Sequence, residues 1–391
     1  MMFYKQFVLF TLFLICFRID AQTVAYSNET LSRIDKASYV WGFVKYHSVK
    51  KANWNKEFVK LYKQAKSSKT DEKLDIFLNK WIKKYYIKNG CDFITRYSSI
   101  DLKLLFAFPL LTTAKEDTTL SKYQSGSYLP EYFYEEYEKD NLFPNEAQRV
   151  MALHKIFFHF LYFFPHFEIS IPQWDSIRLR NIPIFMEANT PIKYELAVNR
   201  LLANLNDGHI SAQSPAINQY FLKFTCPFKA KLTDSSALIQ YIDKNSFCTS
   251  NNIRVNDEVI EINGQSIGEK LNFWKNILPH SNSENFKQIA LRYIFSDSIN
   301  RMNITFKRGD SIFKKSIQLY EMGEFIINYD TVSYKIISDT VGWINLSVLK
   351  REEVLSISKE LNAVKILVID ARGYPNSTID LLCKWLMDEP K

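Results

Sequence analysis

Hydrophobic positions in the first half of the chain recur at helical spacing. Ile34, Ala37, Tyr39, Val40, Trp41, Phe43 and Val44 keep three-and-four intervals, as do Leu74, Phe77, Leu78, Trp81 and Ile82. Residues from about 31 to 213 are therefore predicted to be helical. Two stretches of this region resemble each other. Residues 33–81 run as an aromatic-rich helix, a break, Trp54-Asn55 and another helix. Residues 149–205 repeat that order with Phe157, Phe158, Phe160 and Tyr162, a break at Pro165, and Trp174-Asp175. A duplicated helical-hairpin unit is expected, since two copies are too few for a solenoid. The joining segment, 111–144, is rich in Lys, Glu, Tyr, Ser and Thr and reads as an exposed excursion.

From about residue 220 the period shortens to two. Residues 224–232 and 237–242 read as strands, and 253–264 alternates apolar and polar positions before a turn. A helix is predicted near 268–277. Met302, Ile304 and Phe306 alternate into Arg308-Gly309-Asp310, with Ile312, Ile317 and Leu319 beyond, which is a hairpin. The last segment changes again: strand 341–347, helix 351–361, a nearly uniformly apolar strand 364–370, and a second helix 378–387. An unbroken apolar strand after a helix predicts a buried parallel sheet. The expected fold class is multidomain α+β, with a helical N-terminal domain at 22–215, a β domain at 220–322 and the start of an α/β core at 330–391.

Composition supports this division. The chain has 391 residues, 47% hydrophobic and 15% aromatic, enough for two or three packed domains. Its net charge of +8 is spread over lysines such as Lys45, Lys50, Lys51, Lys56, Lys60 and Lys63, with Glu57, Asp71 and Glu72 among them. That distribution describes a solvated face; no nucleic-acid-binding motif accompanies it.

At the N-terminus Lys5 precedes the apolar run 7–17, broken only by Thr11, and a polar stretch ends at Ala21. The run is shorter than the roughly 20 residues a bilayer span needs. It reads as a secretory signal peptide over 1–21, with an anchor helix as the alternative. The product is expected in the periplasm or outside the cell, without stable membrane insertion after cleavage. Cys91, Cys226, Cys248 and Cys383 would remain. They form no Cys-x-x-Cys pair, and no histidines stand at i, i+4, so no metal site is expected and no cofactor is implied. An oxidising compartment permits a Cys226–Cys248 bridge, with buried free thiols as the default.

Three separated pieces, taken in order, resemble one family. Leu201-Leu-Ala-Asn-Leu-Asn-Asp-Gly-His-Ile210 is similar to the helix-to-turn segment of tail-specific (C-terminal-processing) serine peptidases of the tricorn-core-like bacterial branch. Ile253-Arg-Val-Asn-Asp-Glu-Val-Ile-Glu-Ile-Asn-Gly264 resembles the I-x-x-G-D-x-V-x-x-I-N-G signature of bacterial PDZ domains, which this family inserts beside its active site. Asp370-Ala-Arg-Gly-Tyr-Pro-Asn-Ser377 resembles the family's D-x-R-x-x-P-x-G strand and loop. Any one of these alone would be weak; their order gives the match its specificity.

The resemblance implies a crotonase-like (ββα) peptidase core, a PDZ-like domain at 220–322 and a peptide or unfolded-protein substrate. It places His209 at the general base, an imidazole that takes a proton from a serine hydroxyl and returns it to the leaving amine. It places Arg372, Asn376 and Ser377 in a loop bordering the oxyanion hole. Two departures stand out: Asn256 occupies the usual PDZ glycine position, and neither Asn376 nor Ser377 is the family's loop glycine. Ser377 matches a different motif from the nucleophile, so the nucleophilic serine, and the carboxylate that orients the histidine, are expected to lie outside this chain. The chain is thus read as truncated or incomplete, with a sheet left partly uncovered. The other reading is a non-catalytic PDZ-type peptide-binding protein.

Overall fold

A computed structural model describes residues 26–48, 52–85, 120–122, 128–130, 143–164, 173–243, 247–321 and 332–387. The signal-peptide segment 1–21, Cys91 and most of the 111–144 excursion lie outside the described residues. The chain divides into two compact units, Met1–Met322 and Gly323–Lys391.

Polar caps start the helices of the first unit. Helices α1 (Asn28–His47), α2 (Trp54–Ser67) and α3 (Asp71–Ile82) begin after Ser27, Asn53 and Thr70, whose side chains accept a backbone N–H three residues on. Two short antiparallel strands follow, β1 (Leu120–Lys122) and β2 (Tyr128–Pro130). Helix α4 (Glu146–Phe163) opens on an Asn145–Gln148 capping box. Helices α5 (Trp174–Glu187) and α6 (Pro191–Ala203) complete a second long-short-short triplet in the order of the first.

One apolar core, including Ile34, Trp41, Leu74, Val150, Phe185 and Leu201, joins the two triplets. In each, an indole ties the long helix to the next: Trp41 Nε1 donates to the Trp54 carbonyl (2.8 Å), and Trp174 Nε1 donates to the Phe157 carbonyl (3.0 Å). Arg149 serves the end of α5, donating to the carbonyls of Phe185 (2.9 Å) and Met186 (2.6 Å), which have no partner within the helix. Arg178 is fully buried, paired with Asp35, and lies over the rings of Tyr39 and Phe157.

Helix α7 (Pro215–Phe221) leads into the β part. Its N–H groups at Ala216 and Ile217 donate to the Glu195 carboxylate on α6 at 3.0 and 2.8 Å. The predicted strand 224–232 is split at Pro227 into β3 (Phe224–Thr225) and β4 (Phe228–Leu232), because proline supplies no ladder donor. Then come β5 (Ala237–Ile242), α8 (Phe247–Ser250), β6 (Glu258–Ile262), β7 (Gln265–Ser266), α9 (Ile267–Lys275), α10 (Ser283–Ile294), β8 (Ser296–Asp297), β9 (Arg301–Arg308), β10 (Ser311–Gln318) and β11 (Tyr320–Glu321). The main sheet is antiparallel in the order β10-β9-β6-β5-β4, with β7 folded back on β6; β11, β3 and β8 form a small sheet of their own.

The 253–264 signature has clear structural duties. Ile253, Val259 and Ile262 are buried in this core. Buried Asp257 accepts from Arg308 Nε (2.5 Å), Arg308 Nη2 (2.7 Å) and the Arg254 N–H (2.8 Å). Asn256 adopts φ +73°, the left-handed region that asparagine tolerates better than most residues. Helix α10, not among the elements expected from the sequence, buries Phe286, Ala290 and Ile294 at four-residue spacing. Cys226 and Cys248 are buried and Cys383 is exposed, and the permitted 226–248 bridge is not formed.

The second unit carries β12 (Tyr334–Ser338), β13 (Val341–Asn345), α11 (Val354–Leu361), β14 (Ile366–Asp370) and α12 (Ile379–Leu386). Here the buried parallel sheet expected from the apolar strand is corrected in two respects. The sheet is mixed: β12 pairs antiparallel with β13, and only β13 and β14 are parallel, from Val341↔Ile366 to Asn345↔Asp370. Strand β14 is an edge of the order β12-β13-β14, and Ile366, Val368 and Ile369 are 58%, 43% and 42% exposed. A small core gathers Ile344, Leu346, Leu349, Val354, Ile357, Leu361 and Leu382, while Ile336 and Ile337 of β12 are also 53% and 62% exposed.

Candidate functional site

Helix α6 ends where Asn204 folds its amide back onto the carbonyls of Arg200 (2.7 Å) and Leu201 (3.4 Å). Asn206 then turns the chain through φ +51°. Asp207 follows, and its Oδ1 accepts both the backbone N–H of His209 (2.9 Å) and the ring Nδ1 of His209 (3.0 Å). An ionised carboxylate can only accept, so the Nδ1 atom carries a proton and, in the neutral ring, Nε2 carries the lone pair. The His209 side chain is 93% exposed, whereas Asp207 is 29% exposed. The carboxylate is thus the sheltered member of the pair and the imidazole faces solvent. A ring held in this state is equipped to accept a proton at Nε2.

The turn is fastened to the β part. Gly208 donates its N–H to Ser281 Oγ (2.8 Å), and Ser281 donates its own N–H to Asn285 Oδ1 (3.1 Å) in the first turn of α10. A Cβ at position 208 would stand 2.6 Å from Asn285 Oδ1, so glycine permits this approach.

The other described histidines are placed structurally. His154 is buried with Nδ1 2.9 Å from the Val150 carbonyl, and burial pulls its pKa down to about 4. His159 is also lowered by burial. His280 Nδ1 lies 2.7 Å from the Leu278 carbonyl.

The second unit places Arg372, Asn376 and Ser377 on one loop after β14. Arg372 clamps Asp370, with Nε to Oδ1 at 2.8 Å, Nη2 to Oδ2 at 2.5 Å and the backbone N–H to Oδ1 at 3.1 Å. That guanidinium holds the Asp370 carboxyl down at about 2. The Asn376 N–H donates to the Leu346 carbonyl at 3.0 Å. Ser377 takes φ +54°, and its carbonyl accepts from Arg351, which also forks onto Asp380 at 2.6 and 2.9 Å. The N–H groups of Arg372 and Asn376 are therefore already engaged. His209 belongs to the first unit and this loop to the second.

Sequence reasoning named His209 and the Asp207-Gly208 turn before it, but missed the Asp207 carboxylate as the partner of the ring, and Ser281 and Asn285. Asp207 had a local signal, an acid two residues before the histidine in a turn; Ser281 and Asn285 act across the fold and had none. Among the described residues no group of three or more His, Cys, Asp and Glu side chains could hold a metal ion, and no helix is long and apolar enough to cross a membrane.

No family model and no curated protein match the chain. Among solved structures, one titled photosystem II D1 C-terminal processing protease is similar with a TM-score of 0.31 and 7% identity, over 56% of this chain and 60% of that one.

Proposed function

We propose that the chain carries the helical, PDZ-like and core segments of an exported serine-type peptidase of the tail-specific kind, with His209 as general base. Residues 1–21 would direct export, 22–215 form the helical domain, 220–322 present the substrate, and 330–391 begin a crotonase-like core. The nucleophilic serine is assigned to no residue of this chain. His209 Nε2 would take the proton of that hydroxyl as its oxygen attacks the peptide carbonyl, and would return it to the leaving amine. Arg372, Asn376 and Ser377 would border the site of the developing oxyanion.

The observation that carries this proposal is the outward imidazole of His209, fixed on its turn with Nδ1 engaged. Two features support the domain assignment. The outer edge of β4 pairs with no strand among the described residues, and α10 packs against β4, as strand addition by a peptide requires. The β13–α11–β14 crossover is the unit from which a parallel core is built.

The test is cleavage of an unfolded polypeptide by the full-length gene product and its His209→Ala variant. Loss of cleavage by about three orders of magnitude in the variant is expected. Cleavage that persists unchanged would end the assignment, and capture of peptide with no cleavage at all would favour a binding protein.

A further inference from the structure

Taking a proton from a hydroxyl leaves the base positively charged, and a base of this kind works best when a carboxylate at Nδ1 fixes its tautomer and stabilises the imidazolium. The family resemblance would draw that carboxylate from outside this chain. The geometry points to a different source: we propose that Asp207 is the positioning carboxylate of His209. The inference rests on the assignment of His209 as base.

Three observations define how Asp207 acts. Its Oδ1 receives two donors from the same residue, the His209 N–H at 2.9 Å and Nδ1 at 3.0 Å, so backbone and ring are referred to one point. The Asp207 side chain is 29% exposed while that of His209 is 93% exposed, so the acid supports the imidazole from the protein side. The intervening Gly208 is held by Ser281 Oγ, and Ser281 by Asn285, which keeps the short turn from relaxing. Proton transfer then runs from the attacking hydroxyl to Nε2, with the Nδ1 proton remaining on the ring; Asp207 takes no proton and acts through His209.

The experiment uses the 391-residue chain with 15N-labelled histidine, and assigns His209 by the signal lost in His209→Gln. Long-range 1H–15N spectra above the histidine titration range are expected to show a neutral His209 protonated at Nδ1. Asp207→Ala should move it toward protonation at Nε2, while Asp207→Asn, which keeps an oxygen acceptor, should retain the turn and show an intermediate state. A His209 tautomer unchanged in Asp207→Ala would overturn the proposal. In the full-length gene product Asp207→Ala should lower kcat by about 10²- to 10⁴-fold with KM nearly constant; an equal rise in KM with constant kcat would instead assign Asp207 to substrate binding and overturn it. Should His209→Ala leave cleavage intact, the peptidase assignment fails, and the tautomer measurement still decides what Asp207 does to the ring.

Discussion

The backbone N–H of Gly208 lies 2.8 Å from the hydroxyl oxygen of Ser281, which couples the turn carrying His209 to the segment entering α10. The contact depends on a missing side chain, because a Cβ at 208 would come within 3.0 Å of Ser281 Oγ and 2.6 Å of Asn285 Oδ1. Gly208→Ala must therefore push Asn285 off the Ser281 N–H, giving up about one hydrogen bond, or roughly 1 kcal/mol. Ser281→Ala should cost a similar amount. Urea unfolding checks both, and His209 resonances should move in each variant. Unchanged stability and unchanged His209 signals in Gly208→Ala would show that the latch does not operate.

The Asp35–Arg178 pair supports a larger effect. Both side chains are buried, Arg178 lies 4.8 Å from the centroid of the Phe157 ring, and burial lowers the Arg178 pKa to about 9. Removing Asp35 leaves the buried Arg178 guanidinium with the half-exposed Asp175 carboxylate, 3.3 Å from Nη2, as its remaining ion-pair partner in the helical core. Asp35→Ala should therefore lose about 3–5 kcal/mol, and Asp35→Leu with Arg178→Met should recover most of it. Denaturant titration of the two variants decides the matter, and a double variant as unstable as the single one would contradict it.

Much of this architecture was legible in the sequence, for physical reasons that differ by region. The helical triplets showed because their apolar residues repeat at helical spacing over long stretches, and the β9–β10 hairpin because Gly309 sits between alternating runs at φ +55°. Strand β14 read as one buried on both faces because its composition is apolar; burial depends on neighbours that composition does not specify, and its exposure agrees with the expectation of a partly uncovered sheet. Helix α10 was missed although Asn282 caps it and Phe286, Ala290 and Ile294 repeat every four residues. At the candidate site, His209 stood out through its turn and the family resemblance. The Gly208–Ser281 contact joins positions 73 residues apart, and no local pattern announces such a pairing.

On the loop after β14, Arg372 is the first cause of the low Asp370 pKa. With the folded value near 2, the clamp's contribution is present above the ordinary carboxyl value of about 4 and is lost as pH falls through about 2. Arg372→Ala removes the guanidinium but keeps the backbone N–H at 372 and the Trp343 side chain, so the Asp370 carboxyl should titrate higher, toward the ordinary value of about 4. Carbon-detected NMR titration of the aspartate carboxyls reads this directly. A value still near 2 in the variant would assign the shift to the backbone N–H at 372 and not to the side chain.

His154 links stability to pH in the opposite chemical sense from Asp370 but with the same direction. Its ring is buried beside Phe58, with Nδ1 on the Val150 carbonyl and Nε2 without a partner, and burial holds the folded pKa at about 4. An unfolded histidine titrates near 6.5, so between those values the unfolded chain binds the extra proton and the folded chain does not. Stability from this source is complete above about pH 6.5 and falls as pH drops toward 4, by about 3 kcal/mol at 1.36 kcal/mol per unit. His154→Leu removes the titrating group and also the unpaired Nε2, so its stability at pH 7.5 should differ from wild type by about 1 kcal/mol or less. Urea unfolding of both proteins from pH 7.5 to 4.5 isolates the effect from other titrating groups, because those are common to both. The wild type should lose about 2–3 kcal/mol more than the variant across that range; parallel curves would mean that His154 is protonated in the folded core.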